Sequence, residues 1–185
     1  MGAARTAVIV GAGIGGLTAA YALARRGWAV SVYEQAHKLE PVGAGIQLGP
    51  NATRVLEALG LMDAVRAVGV ETQSLLVRTG KDGRTRAGMQ HGKAALERWG
   101  APFFVIHRGD MQSVLLDAIE PMTNVTLHLG QRLESVTQAD GRAYATFSKY
   151  GEDTVVEAPV LIGADGVWSK MRGHIGLTGP SNFSG

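Results

Sequence analysis

A mixed α/β fold with a parallel sheet at its centre follows from three features of the sequence. A β-branched run, Ala7-Val8-Ile9-Val10, breaks into glycines at Gly11, Gly13 and Gly16; a strongly helix-forming segment runs from Leu17 to Arg26; and a second apolar run, Ala29 to Tyr33, closes on Glu34. Strands that are apolar on both faces belong to sheets covered on both sides, and such sheets are parallel. The order strand, glycine turn, helix, strand is a βαβ unit of the Rossmann-like kind.

Each part of that unit has a physical reason. The glycines stand at the G-x-G-x-x-G spacing. Gly11 permits the tight turn, Gly13 leaves the backbone open to a pyrophosphate, and Gly16 lets the helix pack closely on the strand. The N–H groups at the helix start have no acceptor within the helix, so with the positive end of the dipole they form an anion site. Its candidate binding set is Gly11, Ala12, Gly13, Ile14, Gly15 and Gly16. Leu17, Ala20, Tyr21 and Ala24 fall at core spacing, and Gly27 ends the helix. A glycine-rich turn alone is often only a tight connection; the complete βαβ context is what favours a dinucleotide. Glu34 follows the glycines by about twenty residues, where an acceptor for ribose hydroxyls belongs. A carboxylate there would repel a 2′-phosphate, which favours FAD or NAD(H) over NADP(H).

Composition narrows the function classes. The 185 residues suit one domain with a sizeable core, and 45% hydrophobic content suits an ordinary α/β protein. A formal charge of only +2, with Lys and Arg scattered, makes nucleic acid an unexpected partner. No apolar run approaches the roughly 20 residues of a membrane span, and the N-terminus lacks the layout of a signal peptide. A cytoplasmic location is the default expectation. The absence of cysteine excludes disulfides, thiol catalysis and zinc-thiolate sites. His37, His91, His107, His128 and His174 are too widely separated to suggest a local metal site, and solvent or structural roles are expected for them.

Beyond Glu34, a polar connection leads into Gly43-Ala-Gly-Ile-Gln-Leu-Gly-Pro-Asn51, whose glycines and proline mark either a surface loop or backbone passing close to something. Asn51 is expected to cap a helix with Ala52, Val55, Leu56 and Leu59 on its apolar face, and Leu61 to Ala67 to add a short turn. Residues 71–79 and 84–89 read as strands joined at Lys81-Asp82-Gly83, a hairpin signal. Residues 90–100 are polar and show no clear pattern. Phe103 to Ile106 reads as a strand, and Met111, Val114, Leu115, Ala118 and Ile119 repeat at helical spacing. A strand from Val125 running on to Thr137, then 143–147 and 154–157, predicts a β-meander with turns at Asp140-Gly141 and Gly151. Val160 to Ile162 returns to the apolar pattern and breaks into Gly163-Ala-Asp-Gly166, with Ser169 placed to cap a last turn. That second break beside the first would bring Asp165 towards the same pyrophosphate, although an isolated Asp-Gly is more often a turn.

Together these stretches resemble one family, the FAD-dependent aromatic hydroxylases, single-component flavoprotein monooxygenases of the salicylate hydroxylase and 6-hydroxynicotinate 3-monooxygenase kind. The residues carrying the resemblance are 10–17, Glu34-Gln35, 43–51, His107-Arg108 and 163–172. The resemblance implies a GR2-type FAD-binding fold with a parallel sheet, a β-meander and the start of an antiparallel substrate-domain sheet. It places the FAD pyrophosphate over Gly11 to Gly16 and the adenosine ribose on Glu34, with Gln35 also among the cofactor-binding residues. It further gives Arg108 to the phosphate and ribityl side, Asp165 to a second nucleotide motif and Leu133 to the adenine. Gln47 falls in the segment that passes the isoalloxazine, where some relatives carry histidine; an amide does not titrate, so its expected role is positioning.

In this family NAD(P)H reduces the flavin, and oxygen forms a C4a-hydroperoxide that hydroxylates a phenolic or N-heteroaromatic acid. The implied partners are therefore a small aromatic substrate, O2, and either a second copy or a complementing C-terminal chain. The implied layout is a discontinuous FAD-binding domain over 1–70 and 101–178, an excursion over 71–100, and the start of a C-terminal part at 179–185. A full-length relative is expected to be about twice this size and to carry a third flavin motif of the Gly-Asp-Ala-Ala-His type, which this sequence lacks. A non-catalytic nucleotide-binding module and an NAD-dependent dehydrogenase are the competing readings. The latter accounts for 11–34 but not for the meander or 163–172.

Overall fold

The computed structural model describes residues 5–40, 43–177 and 179. The expected C-terminal start at 179–185 lies outside the described residues apart from Gly179. In chain order the first elements are β1 (Thr6–Val10), α1 (Ile14–Ala24), β2 (Ala29–Glu34), β3 (Gly45–Leu48), α2 (Pro50–Ala58) and α3 (Met62–Val68). Next come β4 (Val70–Glu71), β5 (Ser74–Arg78), β6 (Thr85–Gln90), α4 (Gly92–Trp99), β7 (Phe104–His107) and α5 (Arg108–Ile119). The chain continues through β8 (Val125–Leu129), β9 (Arg132–Ala139), β10 (Arg142–Lys149), β11 (Glu152–Ala158), β12 (Leu161–Gly163) and α6 (Met171–His174). Two compact units result, one of Met1–Glu40 with Leu115–Gly185, the other of Pro41–Val114.

The first unit is built on a parallel sheet in the order β12-β1-β2-β8. Its registers set Val10 opposite both Gly163 and Tyr33, and Glu34 opposite Leu129, so the C-terminal ends of all four strands share one edge. Ala7, Val8, Ile9 and Val10 are all buried, as a strand covered on both faces requires. Leu17, Ala20 and Ala24 of α1 are buried, whereas Tyr21 is only partly so. The antiparallel meander β11-β10-β9 packs on Val8 and Val10 through Leu133, Ala145, Phe147 and Ala158, with Tyr33 and Met171 in the same cluster. Tyr33 is stacked between His128 at 4.4 Å and Phe147 at 4.1 Å.

The strand expected to run unbroken from Val125 to Thr137 is two strands. Gly130, at φ +73°, turns the chain out of the parallel sheet and into the meander. Its amide donates to Ala36 O and that of Gln131 to Glu34 O, partners nearly a hundred residues away.

In the second unit β3, β7 and β4 form an antiparallel sheet and β5–β6 a separate hairpin. The hairpin turns where Asp82-Gly83 predicted, with the Asp82 carboxylate accepting from the Thr79 hydroxyl and the Arg84 amide. The strand expected over 71–79 is split, because Val70 and Glu71 pair with β7 while the Thr72 amide donates to Phe103 O. Asn51 is not the cap of α2: Gly49 holds that position and Pro50, with its fixed φ, begins the helix. Thr53, not Val55, completes the buried face with Leu56 and Leu59, its hydroxyl placed to bond Pro102 O at 2.8 Å. Residues 92–99, unpatterned in sequence, form α4, which buries only Gly92 and Ala95.

Candidate functional site

The C-terminal edge of the parallel sheet gathers the glycine loop, the end of β2, the turn at Gly130 and the loop after β12. Connections from β1 lead first to β2 on one side and finally to β12 on the other, so the strand order reverses at β1. In open parallel sheets, ligands bind outside the carboxyl ends of strands at that reversal.

The four glycines of the loop divide into two kinds. A Cβ on Gly16 would lie 1.9 Å from Gly11 O, and one on Gly11, at φ +103°, would lie 2.4 Å from Ala164 O. These two exist because backbone lies against them, and they bring the loop after β12 into contact with the loop after β1. At Gly13 and Gly15 nothing lies within 4 Å. Here the bare backbone faces open space, as a cradle for a ligand must. Gly13 is the N-cap of α1, with no side-chain cap and no acid in the first turn, so the N–H groups of Ile14, Gly15 and Gly16 retain their positive field. The Ala12 amide instead donates to Glu34 Oε2 at 2.8 Å.

Glu34 therefore holds the loop from its neighbouring strand. Its other oxygen accepts from the Ala36 amide at 2.9 Å. A carboxylate offers about four acceptor sites, so both oxygens keep capacity for hydroxyl donors. Gln35 is exposed and opens a cleft of about 510 Å³ shared with Ala36, His37, Gly130, Arg132, Ser148, Tyr150 and Gly151. His37 and Tyr150 are stacked at 5.4 Å; at Gly130 the φ of +73° favours glycine, and a Cβ there would lie 2.6 Å from His37 Nδ1, so the exposed ring would have to shift. Tyr150 is 84% exposed and holds a left-handed φ of +54° in the turn between β10 and β11. Sequence reasoning did not find this cleft, since three distant segments build it.

Asp165 reaches the same edge through its backbone: its Cα is 3.1 Å from the place of a Gly11 Cβ. Its carboxylate turns the other way. Oδ1 accepts from the Ser169 hydroxyl at 2.6 Å, and Oδ2 accepts from the Lys170 and Met171 amides at 2.7 and 3.1 Å. Burial pushes this carboxyl up, but the hydrogen bonds from Ser169, Met171 and Lys170 outweigh it and leave its pKa below the usual carboxylate value. Ser169, expected as the cap of the last turn, shares that work with Asp165: its Oγ accepts only from the Arg172 amide, at 3.3 Å. Leu133 has its side chain in the core cluster, is paired with Phe147 in the β9–β10 ladder, and accepts from Lys170 Nζ at its carbonyl at 3.5 Å.

The second unit carries Gln47 and Arg108. Gln47 is exposed on β3 opposite Val105, while Arg108 follows β7 and opens α5 with its amide donating to Ala44 O. Among the described residues no group of three His, Asp or Glu could hold a metal, and no helix is long and apolar enough to cross a membrane.

Residues 4–184 match the FAD binding domain family. The chain belongs to that family. Within it, the chain is 36% identical over 167 residues to a 3-amino-4-hydroxybenzoate 2-monooxygenase of Streptomyces platensis, covering 90% of this chain and 41% of that protein. It is 34% identical over 172 residues to a 6-hydroxynicotinate 3-monooxygenase of Pseudomonas fluorescens, covering 93% and 43%. A crystal structure of Klebsiella pneumoniae HpxO with FAD and uric acid superposes with a TM-score of 0.77 at 26% identity, over 91% of this chain and 41% of that one. The chain thus spans about two fifths of the length of the relatives it matches. FAD binding domain membership agrees with the resemblance to aromatic hydroxylases read from the sequence. The open backbone at Gly13 and Gly15, and a carboxylate at the end of β2 with acceptor sites to spare, fit a dinucleotide at this edge.

Proposed function

We propose that this chain is the FAD-holding part of an NAD(P)H-dependent monooxygenase acting on a small aromatic acid, phenolic or N-heteroaromatic. The observation that carries the reading is the sheet edge itself, where an open helix N-terminus, a strand-end carboxylate and an adjoining ring-lined cleft succeed one another. The amides of Ile14, Gly15 and Gly16 would take the pyrophosphate through the helix field. Glu34 would accept from the adenosine ribose while its bond to Ala12 keeps the loop in place. Gln35 and the cleft beside it would receive the adenine, with Leu133 as a further contact. Arg108 would serve the phosphate and ribityl side, the loop around Asp165 the other flank, and Gln47 would orient groups near the ring.

When bound, the flavin supplies the redox and oxygen-transfer chemistry, and the protein supplies binding, orientation and exclusion of water. The relatives' names support an aromatic substrate, since they act on an aminohydroxybenzoate and a hydroxynicotinate. NAD(P)H, O2, the cytoplasmic setting and a second copy or complementing chain complete the proposal.

Titration of the purified chain with FAD, followed by visible absorption and quenching of flavin fluorescence, tests the reading. Saturable binding is expected, weakened by Glu34→Ala. A chain that takes up NADH but no FAD would instead revive the dehydrogenase. A second reading, a nucleotide-binding module that works only with a partner chain, is favoured by the exposure of Leu75, Leu76 and Val77 on β5. Concentration-independent monomer behaviour in sedimentation would oppose self-association through that face.

A further inference from the structure

We propose that Gly43 is a positioning residue for Arg108, seating the arginine's stem so that its guanidinium is presented at a fixed angle to an anionic ligand group. This rests on the reading that Arg108 serves the phosphate and ribityl side of FAD. Gly43 stands before β3, at φ +133°, a conformation that side-chain-bearing residues rarely adopt. A Cβ placed on it would lie 3.0 Å from Arg108 Cδ, 3.2 Å from Cβ and 3.5 Å from Cγ. Three methylene carbons of the arginine thus run along the bare face of one glycine. The backbone holds the two together: the Arg108 amide donates to Ala44 O at 3.2 Å, and Gly45 stands opposite His107 in the β3–β7 ladder.

An exposed arginine has many rotamers, and fixing such a side chain costs conformational freedom. A groove that already holds the stem removes part of that cost before any ligand arrives, which is how preorganisation raises affinity. A side chain at position 43 would push the stem outward and release the fork. Positive φ alone is a sufficient reason for a glycine, and only a measurement of coupling separates the two causes.

The experiment is a double-mutant cycle of Gly43→Ala and Arg108→Ala in the whole chain, read by FAD affinity and by the thermal midpoint of the FAD-free protein. Arg108→Ala is expected to weaken FAD binding about tenfold to a hundredfold, as loss of a charged hydrogen-bond donor does. Gly43→Ala should weaken it by a similar factor, and the double variant should bind no more weakly than Arg108→Ala. In the FAD-free protein Gly43→Ala should lower the midpoint less when Arg108 is alanine, because the closest contact, with Cδ at 3.0 Å, is gone and only the contact with Cβ at 3.2 Å and the backbone strain are left. Independent factors that multiply in the double variant overturn the proposal. So does an equal loss of midpoint, or loss of the fold, from Gly43→Ala in both backgrounds, since strain alone would then account for the glycine. An Arg108→Ala chain that binds FAD like the wild type overturns the assignment of Arg108 itself, and this is distinguishable because the midpoints still report the packing.

Discussion

Two strand regions of similar composition meet opposite fates. Val8, Ile9 and Val10 of β1 are at most 5% exposed, whereas Leu75, Leu76 and Val77 of β5 are 39 to 52% exposed. Both runs form strands, so local preference does not separate them. Cover does: β1 has a strand on each side and the meander against Val8 and Val10, while among the described residues β5 has only β6 as a strand partner, and every residue of both is exposed. An apolar β-branched pattern specifies an extended backbone with side chains that suit burial, and the surrounding chain decides whether burial occurs.

Substitutions at the sheet edge break that contrast most severely. Gly16→Ala puts a Cβ 1.9 Å from Gly11 O, backbone against backbone with no flexible end to move. A loss exceeding about 4 kcal/mol is expected, in the range reserved for a few severe mechanisms, and urea denaturation measures it. In the strand itself, Ile9→Ala empties a fully buried site and should cost about 2–5 kcal/mol. If β1 instead tolerated that change as easily as β5 tolerates its own truncations, the distinction drawn from burial would be wrong.

Glu34→Ala comes next. It strands the amides of Ala12 and Ala36, and a lost partner for a part-buried donor costs about 1–3 kcal/mol. Glu34→Gln keeps one carbonyl oxygen and should recover part of the stability but less of the FAD affinity, because an amide oxygen accepts more weakly than a carboxylate. Equal recovery of both would show that Glu34 only holds the loop.

The loop and strand that these changes probe were legible because their logic is local. Gly11 to Glu34 is one contiguous βαβ unit, and the hairpin turn at Asp82-Gly83 and the meander turn at Asp140-Gly141 lie in adjacent residues. What escaped depends on distant partners. The turn at Gly130 breaks an otherwise continuous strand pattern because Ala36 O accepts from its amide and Glu34 O from that of Gln131, and Thr53 is buried because Pro102 O meets its hydroxyl. α4 escaped for a different reason: with Gly92 and Ala95 its only buried residues, it has almost no apolar stripe to read. The cleft of His37, Gly130, Arg132 and Tyr150 likewise has no sequence pattern, since its walls come from three segments.

A smaller effect appears with pH. His128 has its pKa lowered, first by burial against Tyr33 and then by the Lys149 ammonium. The unfolded chain therefore takes up this proton first as pH falls. The associated stability is complete above the ordinary value of about 6.5 and is lost as pH drops through the lower folded value. Asp165, also lowered, acts in the same sense but only below about 3.9. Thermal midpoints between neutral and mildly acidic pH should decline in the wild type and flatten in His128→Phe, which keeps a ring on Tyr33. An unchanged slope in the variant would assign the decline to other groups.

The smallest effect is expected where the comparison began. Leu76→Ala on β5 removes methyl groups from a side chain that is already 45% exposed, so there is little cavity to leave and little area to return to water. A change within about 0.5 kcal/mol is expected in the isolated chain, as for most surface positions. The same substitution becomes informative if a complementing chain is added. Any partner that covers β5 would bury Leu76 and raise the cost of its truncation towards that of Ile9→Ala, and a double measurement, with and without the partner, would show the hairpin crossing from one class to the other. If Leu76→Ala already costs several kcal/mol in the chain alone, β5 is part of a core after all, and exposure is not what separates the two strands.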